Sequence, residues 1–340
     1  MRTVKVNFVD FYEGHDKEHN HIMNVLREKY SPVLSENPDY VFCGPYIAPG
    51  KKAQEYWKYD GIRIFSTDEA ICPDFNLYDY AIGFDDLSFG DRYCRYPIYA
   101  ARDVEIREAE ESRQFTSKDL AEKKSFCSFV VSNGHADGYR ERLFEALNEY
   151  RPVQSGGRFR NNTGGPVKDK KAFQRESRFV IACENSSYPG YTTEKIIDAY
   201  ASSAIPIYWG NPGIAEEFDE RSFVNCHRYS SLEAVVEAVK KIDRNEDLYL
   251  EMMHSPVFRE GVPEGIQNRL RAFLFHIFDQ PYEAAFRRNR TNAGAVYSER
   301  QRKMWKLRET LHRSGIHRLA GLVRRRPSSH SMYASSPLSE

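Results

Sequence analysis

A lysine at the start of a predicted helix is the first residue of this sequence whose position suggests chemistry. Residues 179–183 form a short apolar run typical of a strand buried on both faces, and a Pro-Gly turn follows it. A helix is expected after that turn, with Thr192 or Thr193 as its N-cap and Lys195 in its first turn. A positive charge there opposes the helix dipole unless an anion is bound to the free backbone N–H groups. The pattern therefore predicts an anion site, and a solvated pair of Glu194 and Lys195 is the alternative.

A glycine-rich loop, residues 156–165, is a second candidate for anion binding. Its glycines let the backbone approach a ligand closely, and Arg158 and Arg160 lie among them. Arginine donates charge-assisted hydrogen bonds to phosphate, each worth about 1.5–3 kcal/mol. Loops of this composition are also common on protein surfaces, so the loop alone does not define a site.

Two acidic residues follow a predicted strand in the first part of the chain. Asp68 and Glu69 come just after the apolar residues 62–66. A positioned carboxylate can remove a proton from a substrate hydroxyl, which typically contributes about 10²–10⁴ in rate. Side chains of adjacent residues in an extended chain point to opposite sides, so only one of the two is expected to face a substrate. Solvated turn residues are the alternative interpretation.

These residues and their neighbours resemble the α1,3/4-fucosyltransferases, especially the bacterial enzymes that make Lewis-type glycans. The matching motifs are Glu184-Asn185-Ser186, residues 191–195 (Tyr-Thr-Thr-Glu-Lys), residues 205–210 (Ile-Pro-Ile-Tyr-Trp-Gly), residues 73–85 and residues 128–133. The resemblance extends over about residues 60–280 and is looser in the first fifty residues and in the tail.

By this resemblance the protein is an inverting glycosyltransferase. It would move L-fucose from GDP-β-L-fucose to the N-acetylglucosamine of an N-acetyllactosamine-type glycan, such as a Lewis antigen on lipopolysaccharide, in α1,3 or α1,4 linkage. The family is metal-independent, so neither a metal ion nor another cofactor is expected. Glu69 matches the general base of the family. The residues that match its donor-binding positions are Arg160, Asn185, Tyr191, Glu194 and Lys195.

Phe11 and Tyr12 are the candidate residues for binding the acceptor glycan. They follow the first predicted strand, residues 3–9, and are therefore expected on the cleft side of the first domain. Two aromatic rings there offer an apolar platform for the face of a sugar. Packing of both rings into the core is the alternative.

Strands and helices alternate along both halves of the sequence. In the first half the predicted strands are 3–9, 40–43, 62–66 and 80–84, with helices at 19–30 and 51–59. In the second half the predicted strands are 126–132, 179–183, 204–208 and 222–226, with helices at 139–150 and 231–242. This alternation predicts an α/β fold of two Rossmann-like domains, and the resemblance adds a GT-B-like arrangement with a cleft between them.

The predicted boundaries divide the chain into three parts. Residues 1–117 form the acceptor-binding domain, 118–285 the GDP-fucose-binding domain, and 286–340 a basic helical C-terminal tail. The sequence has neither a G-x-G-x-x-G motif nor a complete P-loop. A nicotinamide dehydrogenase and a nucleotide hydrolase are therefore disfavoured.

The formal net charge of zero hides an uneven distribution of charge. Residues 286–326 contain 13 Lys or Arg and 2 acids, which leaves 36 bases and 47 acids, out of 49 each, in the rest of the chain. Large apolar residues are interleaved with these bases: Trp305, Leu311, Ile316, Leu319 and Leu322. The pattern favours a peripheral contact between the tail and an anionic membrane surface, and a helix packed back on the acidic body is the alternative.

The six cysteines are scattered singly, which favours free thiols in a reducing compartment. No apolar segment has the length of a signal peptide or a membrane span, so the sequence predicts a cytoplasmic protein, with peripheral contact at the inner face of the bacterial cell membrane left open. No nucleic-acid partner is expected. Two other functions stay open: an inverting transferase for another nucleotide sugar, and a non-catalytic protein that binds glycans or membranes.

Overall fold

The computed structural model describes residues 1–48, 51, 53–132, 134 and 136–313. Its first sheet is parallel and is built from β1 (Arg2–Val9), β2 (Tyr30–Leu34), β3 (Tyr40–Cys43), β4 (Ile62–Ser66), β5 (Tyr80–Gly83) and β6 (Tyr93–Arg95). The strand order is β2-β1-β3-β4-β5-β6. The first unit therefore has the doubly wound parallel sheet that the alternating pattern predicts.

The second sheet is also parallel. It is built from β7 (Ser125–Phe129), β8 (Val153–Ser155), β9 (Ser177–Cys183), β10 (Ile205–Trp209) and β11 (Val224–Asn225). The strand order is β11-β10-β9-β7-β8. With two such sheets, the predicted α/β fold of two Rossmann-like units is confirmed.

Ten α-helices lie in the described part of the chain. They are α1 (His21–Arg27), α2 (Asp103–Glu111), α3 (Ser117–Ala121), α4 (Tyr139–Tyr150), α5 (Lys170–Arg175), α6 (Lys195–Ala201), α7 (Leu232–Asp243), α8 (Glu246–His254), α9 (Val262–Asp279) and α10 (Asn292–Arg313).

Strand β9 lies between two hydrophobic cores. Val180 and Ala182 are buried in one core. Phe179, Ile181 and Cys183 are buried in the other. Because both faces are covered at residues 179–183, these side chains are apolar without alternation, as the sequence predicts. The strand leads directly into the loop that carries the donor motif.

Helix α9 packs on the first sheet, although it follows the second sheet in the sequence. Phe278 stacks on Tyr40 with ring centroids 4.1 Å apart, and Tyr30 donates a hydrogen bond to Asp279 at 2.6 Å. The apolar face of α9 belongs to the same core as β1, β3, β4 and β5. Residues 262–279 therefore complete the first unit, whereas the predicted boundaries assign them to residues 118–285.

The predicted helix at 19–30 is too long at its carboxyl end. Helix α1 ends at Arg27, and β2 begins at Tyr30 on the edge of the sheet. Pro32 lies within β2, and an edge strand is the position in a sheet where proline is tolerated. The residues after Arg27 therefore form a strand.

The predicted helix at 51–59 is wrong over the residues that the structure describes. Only a 3-10 turn, Tyr56–Lys58, is present there. The carboxylate of Asp10 accepts hydrogen bonds from the backbone N–H groups of Glu55 at 2.6 Å and Tyr56 at 2.9 Å. A side chain from the end of β1 thus fixes this turn, and no local pattern reveals that.

Helix α10, the described part of the tail, packs on the first unit. Nε1 of Trp305 donates to the hydroxyl of Tyr56 at 3.1 Å, and Tyr297 donates to Asp74 at 2.7 Å. Trp305 therefore faces the body, as in the alternative interpretation of the tail. Of the other apolar tail residues used in the membrane prediction, Leu311 is 41% exposed on α10, and Ile316, Leu319 and Leu322 lie outside the described residues. Across the described residues, no helix combines the length and the apolar composition that crossing a membrane requires.

Candidate active site

The two units meet through the loop after β4 and the loop after β9. The phenol oxygen of Tyr191, in the second loop, lies 3.5 Å from Oε2 of Glu69 in the first. The ring of Tyr191 packs edge-on against Phe84, with centroids 5.3 Å apart. The structure therefore brings the predicted base to one of the predicted donor-binding residues.

A buried ion pair fixes this approach of the two units. Arg95, at the end of β6, donates to the carbonyl oxygen of Gly190 at 3.2 Å and pairs with the carboxylate of Glu217. Tyr99 donates to the other carboxylate oxygen of Glu217 at 2.7 Å. Gly190 has a φ of 81°, and a Cβ there would overlap the carbonyl oxygen of Phe84. Only glycine allows this close approach.

Lys195 is the first residue of α6, and groups of its own unit hold its ammonium. Nζ lies 2.9 Å from Oε2 of Glu184 and 2.8 Å from Oγ1 of Thr193. Glu184 is 0% exposed and also accepts from the N–H and the hydroxyl of Thr193, both at 2.7 Å. The predicted N-caps Thr192 and Thr193 are wrong: Glu194 is the N-cap residue and makes no side-chain cap bond. The hydroxyl of Thr193 is directed at Glu184 instead.

Burial and charge compete at this ion pair. Burial raises the pKa of Glu184, and the charge of Lys195 offsets this only in part. Burial lowers the pKa of Lys195, but the charges of Glu184 and Glu194 outweigh burial and raise that pKa above its usual value. Burial would also raise the pKa of Glu194, yet Lys195 and Lys170 together lower it. Lys195 is therefore a charged ammonium at neutral pH.

Asn185 is tied to helix α4. Its side-chain oxygen accepts from Arg140 Nη1 at 3.0 Å, and its carbonyl oxygen accepts from the N–H of Asp137 at 2.9 Å. Arg140 is buried, with its guanidinium 5.9 Å from the ring centroid of Phe159 in the glycine-rich loop. The structure thus joins the donor motif to the loop that carries the predicted arginine.

Arg160 itself is paired with two acids of α4. Its guanidinium bonds to Glu141 and, at 2.7 Å, to Glu145, and its side chain is 45% exposed. The joint binding of one diphosphate by Arg160 and Lys195 stays a prediction, and it requires Arg160 to leave these two carboxylates.

Glu69 lies in a bend after β4, next to the phenol of Tyr46. The hydroxyl of Tyr46 is 3.1 Å from Oδ1 of Asp68 and 3.3 Å from Oε1 of Glu69. Oγ1 of Thr67 accepts the N–H of Glu69 at 3.0 Å. Because the chain bends after Ser66, both acidic side chains reach the same hydroxyl. The prediction that they point to opposite sides is therefore wrong.

The two predicted acceptor residues have different environments. Phe11 stacks on His15 with centroids 4.2 Å apart and packs against the first core. Tyr12 is 50% exposed, and its ring is 6.5 Å from that of Tyr46. Since Tyr46 also contacts Glu69, an aromatic surface extends from Tyr12 to the predicted base.

The sequence assigned no role to three residues that shape this site: Tyr46, Glu184 and Arg95. Glu184 had a usable signal, because a charged residue directly after a strand buried on both faces is unusual. Tyr46 and Arg95 had no local pattern that indicates their contacts, since their partners come from distant parts of the chain. As for a metal, no group of three His, Cys, Asp or Glu side chains in the described ranges could hold one.

Two family models match the chain in succession. Residues 6–102 match the α-(1,3)-fucosyltransferase FucT N-terminal domain, and residues 120–254 match the glycosyltransferase family 10 (fucosyltransferase) C-terminal region. The α-(1,3)-fucosyltransferase FucT of Helicobacter pylori is 36% identical over 264 residues, which are 68% of this chain and 54% of that protein. The α-(1,3)-fucosyltransferase B of Drosophila melanogaster is 30% identical over 134 residues, 36% of this chain and 30% of that protein. The chain thus spans about half the length of the first relative and less of the second.

Solved structures agree with the sequence matches. A crystal structure of an α1,3-fucosyltransferase with GDP-fucose superposes with a TM-score of 0.65 at 28% identity, covering 83% of this chain and 93% of that one. A structure with GDP gives the same TM-score at 30% identity, covering 80% and 90%. The fold is that of a GT-B-type glycosyltransferase. The chain belongs to the α1,3-fucosyltransferase family, glycosyltransferase family 10.

Proposed function

We propose that the protein transfers L-fucose from GDP-β-L-fucose to the N-acetylglucosamine of an N-acetyllactosamine-type glycan, with inversion at the anomeric carbon. The bond formed is α1,3, with α1,4 as the alternative that the acceptor would select. The relatives named above are α1,3-fucosyltransferases, and one of the similar structures holds GDP-fucose.

The approach of Glu69 to Tyr191 carries this proposal. An inverting transfer needs a base on the acceptor side of the sugar and a site for the leaving group on the opposite side. Glu69 belongs to the first unit, and Tyr191 and Lys195 belong to the second, with 3.5 Å between the side chains of Glu69 and Tyr191. A sugar bound between these loops would have the carboxylate and the ammonium on different sides.

In the proposed reaction Glu69 accepts the proton of the acceptor hydroxyl while that oxygen attacks the anomeric carbon. The bond to GDP breaks on the opposite face. The charge that develops on the diphosphate is stabilised by Lys195 and by Arg160 after it leaves its two carboxylates. Asn185, Tyr191 and Glu194 act as hydrogen-bonding partners of the donor. No metal ion or other cofactor is proposed, because these cations supply the charge.

The test is product analysis with a panel of donors and acceptors. Purified protein is incubated with GDP- and UDP-sugars and with type 1 and type 2 N-acetyllactosamine, and the linkage of each product is determined. The proposal expects transfer from GDP-fucose, with the fucose α-linked to N-acetylglucosamine. Transfer only from another nucleotide sugar, or no transfer from any donor, would refute it.

For the tail, we propose contact with an anionic membrane surface that presents a lipid-linked acceptor, such as a lipopolysaccharide precursor. Trp305 packs on the body, but Met304 and Leu307, one helical turn apart on α10, are 49% and 59% exposed. Lys303 and Lys306 flank them, and an exposed apolar stripe bordered by lysines is typical of a helix that binds lipid headgroups.

Liposome sedimentation distinguishes membrane contact from packing alone. The full chain and a Met304→Ser/Leu307→Ser variant are mixed with vesicles that contain anionic lipid and with neutral vesicles. Weaker sedimentation of the variant with anionic vesicles only is expected. Equal sedimentation of both proteins would refute membrane contact through this face.

A further inference from the structure

Glu184 is the most completely buried charge near the proposed donor site. It directly follows β9, is 0% exposed, and accepts hydrogen bonds from three donors: the N–H of Thr193, the hydroxyl of Thr193 and Nζ of Lys195. None of these contacts joins two elements of the hydrophobic cores. All three donors belong to Thr193 and Lys195, at the start of α6.

Stability alone does not explain an ion pair in this position. A buried ion pair commonly contributes no more than well-packed apolar side chains of the same volume, because both charges lose their hydration. The backbone next to Glu184 nevertheless leaves room for its side chain. A Cβ at Gly210, the residue after β10, would overlap the Cγ and Cβ atoms of Glu184. The end of the neighbouring strand thus lacks a side chain where the carboxylate passes.

The ammonium of Lys195 has a fixed orientation as a result. Two of its three N–H bonds are directed at Oε2 of Glu184 (2.9 Å) and Oγ1 of Thr193 (2.8 Å). Glu194 is farther away, at 3.8 Å, and the lysine side chain is 19% exposed. The third N–H is therefore available to a ligand in the cleft, along a direction that the first two bonds determine.

We propose that Glu184 is the positioning residue of the donor site, which holds the Lys195 ammonium with one N–H directed at the donor diphosphate. This inference rests on the proposed function, because it takes the Lys195 ammonium as a diphosphate contact. Glu184 itself touches no substrate and acts only through Lys195.

Glu184 also raises the pKa of Lys195. Three charged groups face the ammonium: Glu184 from the end of β9, Glu194 from the turn before α6, and Arg140 from α4. Burial and Arg140 lower the pKa of Lys195, and the two acids raise it. Without the charge of Glu184, only Glu194 opposes burial and Arg140, so the pKa of Lys195 falls. Because GDP requires the ammonium, its affinity then falls as the pH rises.

The experiment is calorimetric titration of GDP into the parent and Glu184→Gln at about pH 7, 8 and 9. The parent, with a raised lysine pKa, should bind GDP with nearly constant affinity over this range. Glu184→Gln should bind more weakly at pH 7 and lose at least about tenfold more by pH 9. Glu184→Gln with the pH profile of the parent would overturn the proposal.

A double variant is the matched control. In Glu184→Gln/Lys195→Arg the side chain keeps its charge at every pH tested, because the pKa of a guanidinium is above about 12. The pH dependence of GDP binding should disappear, even if the affinity at pH 7 stays low. If the dependence remains, its source is not Lys195, and the proposal fails.

Thermal unfolding of each variant at the same pH values monitors the fold. Should Glu184→Gln be unfolded, Thr193→Val replaces it: this change removes the hydroxyl between Glu184 and Lys195, whereas Thr193→Ser keeps it. A three- to tenfold loss of GDP affinity is expected for valine, with about parental affinity for serine. Equal affinities of the two variants would contradict the positioning role.

Lys195→Ala separates this inference from the proposed function. Parental GDP affinity in Lys195→Ala would mean that the donor diphosphate binds elsewhere, so that the proposed site itself fails. Weaker GDP binding in Lys195→Ala, together with parental behaviour of Glu184→Gln at all three pH values, would reject only the role of Glu184.

Discussion

The phenol oxygen of Tyr191 lies 3.5 Å from a carboxylate oxygen of Glu69, although 122 residues separate them in the sequence. One belongs to the loop after β9 and the other to the loop after β4. The contact therefore depends on the relative placement of the two units. It also places the candidate base beside the donor motif.

Glu69→Gln should lose about 10²–10⁴ in kcat, because an amide cannot accept the acceptor proton. GDP affinity should stay at the parental value, since Glu69 belongs to the other unit. Asp68→Asn serves as the control and should be milder. Steady-state kinetics with GDP-fucose decide between the two acids: the reverse order of activity would assign the base to Asp68.

The salt bridges of Arg160 predict that removing its two acidic partners increases the affinity for GDP. If Arg160 must leave Glu141 and Glu145 to reach the diphosphate, Glu141→Gln/Glu145→Gln should bind GDP about two- to fivefold more tightly. Arg160→Ala should weaken binding, and in that background the two glutamine changes should have no effect. Titration of GDP into the three variants is the measurement. An equal gain with and without Arg160 would show a general charge effect instead.

Tyr12→Ala should raise the KM for the acceptor several-fold and leave GDP binding unchanged. The ring is half exposed and lies beside Tyr46, which in turn contacts Glu69. Loss of an apolar platform weakens sugar stacking without touching the donor. Initial rates at varied acceptor concentration give the KM, and an unchanged value would remove Tyr12 from the acceptor site.

Asp10 should make the protein less stable as the pH rises. Burial raises its pKa to about 7, although the N–H groups of Glu55 and Tyr56 lower it in part. Between about pH 4 and pH 7 the unfolded chain has lost this proton and the folded chain keeps it. This group therefore lowers the free energy of unfolding by up to about 1.4 kcal/mol for each pH unit in that window.

Urea unfolding of the parent and of Asp10→Asn at about pH 5 and pH 8 isolates this contribution. The asparagine cannot ionise, so the stability of Asp10→Asn relative to the parent should be higher at pH 8 than at pH 5. A stability difference that does not change with pH would contradict the raised pKa of Asp10.

An element can be predicted from the sequence when its own residue types follow from its burial. Residues 179–183 and 205–209 are apolar because both faces of each strand are buried there, and their motifs also indicated the donor loop. Strand β2 was hidden because residues 30–34 have mixed burial on a sheet edge. The turn at Tyr56–Lys58 depends on a carboxylate some 45 residues away, which no local pattern records.

The site residues also divide into those that a local motif identified and those whose contacts come from other parts of the chain. Lys195 and Tyr191 were identified from an ordered motif, whereas the partners of Arg160 lie on α4, 15 and 19 residues earlier. The strand before Asp68 and Glu69 was predicted with its observed bounds, 62–66, but its pattern does not record the bend that brings both side chains to Tyr46. Contacts between loops of different strands are set by the assembled sheet, so the sequence alone could not provide them.

Because α9 packs on the first sheet, the first unit cannot be completed until residues 262–279 have been synthesised. Strands β1 to β6 leave the ribosome first, yet the helix that covers one face of their sheet spans residues 262–279. At about 5–20 residues per second, the intervening chain takes roughly ten to forty seconds to synthesise. During that interval the nascent first unit exposes an apolar sheet face that includes Tyr40 and Tyr80, which is the kind of surface that ribosome-associated chaperones bind.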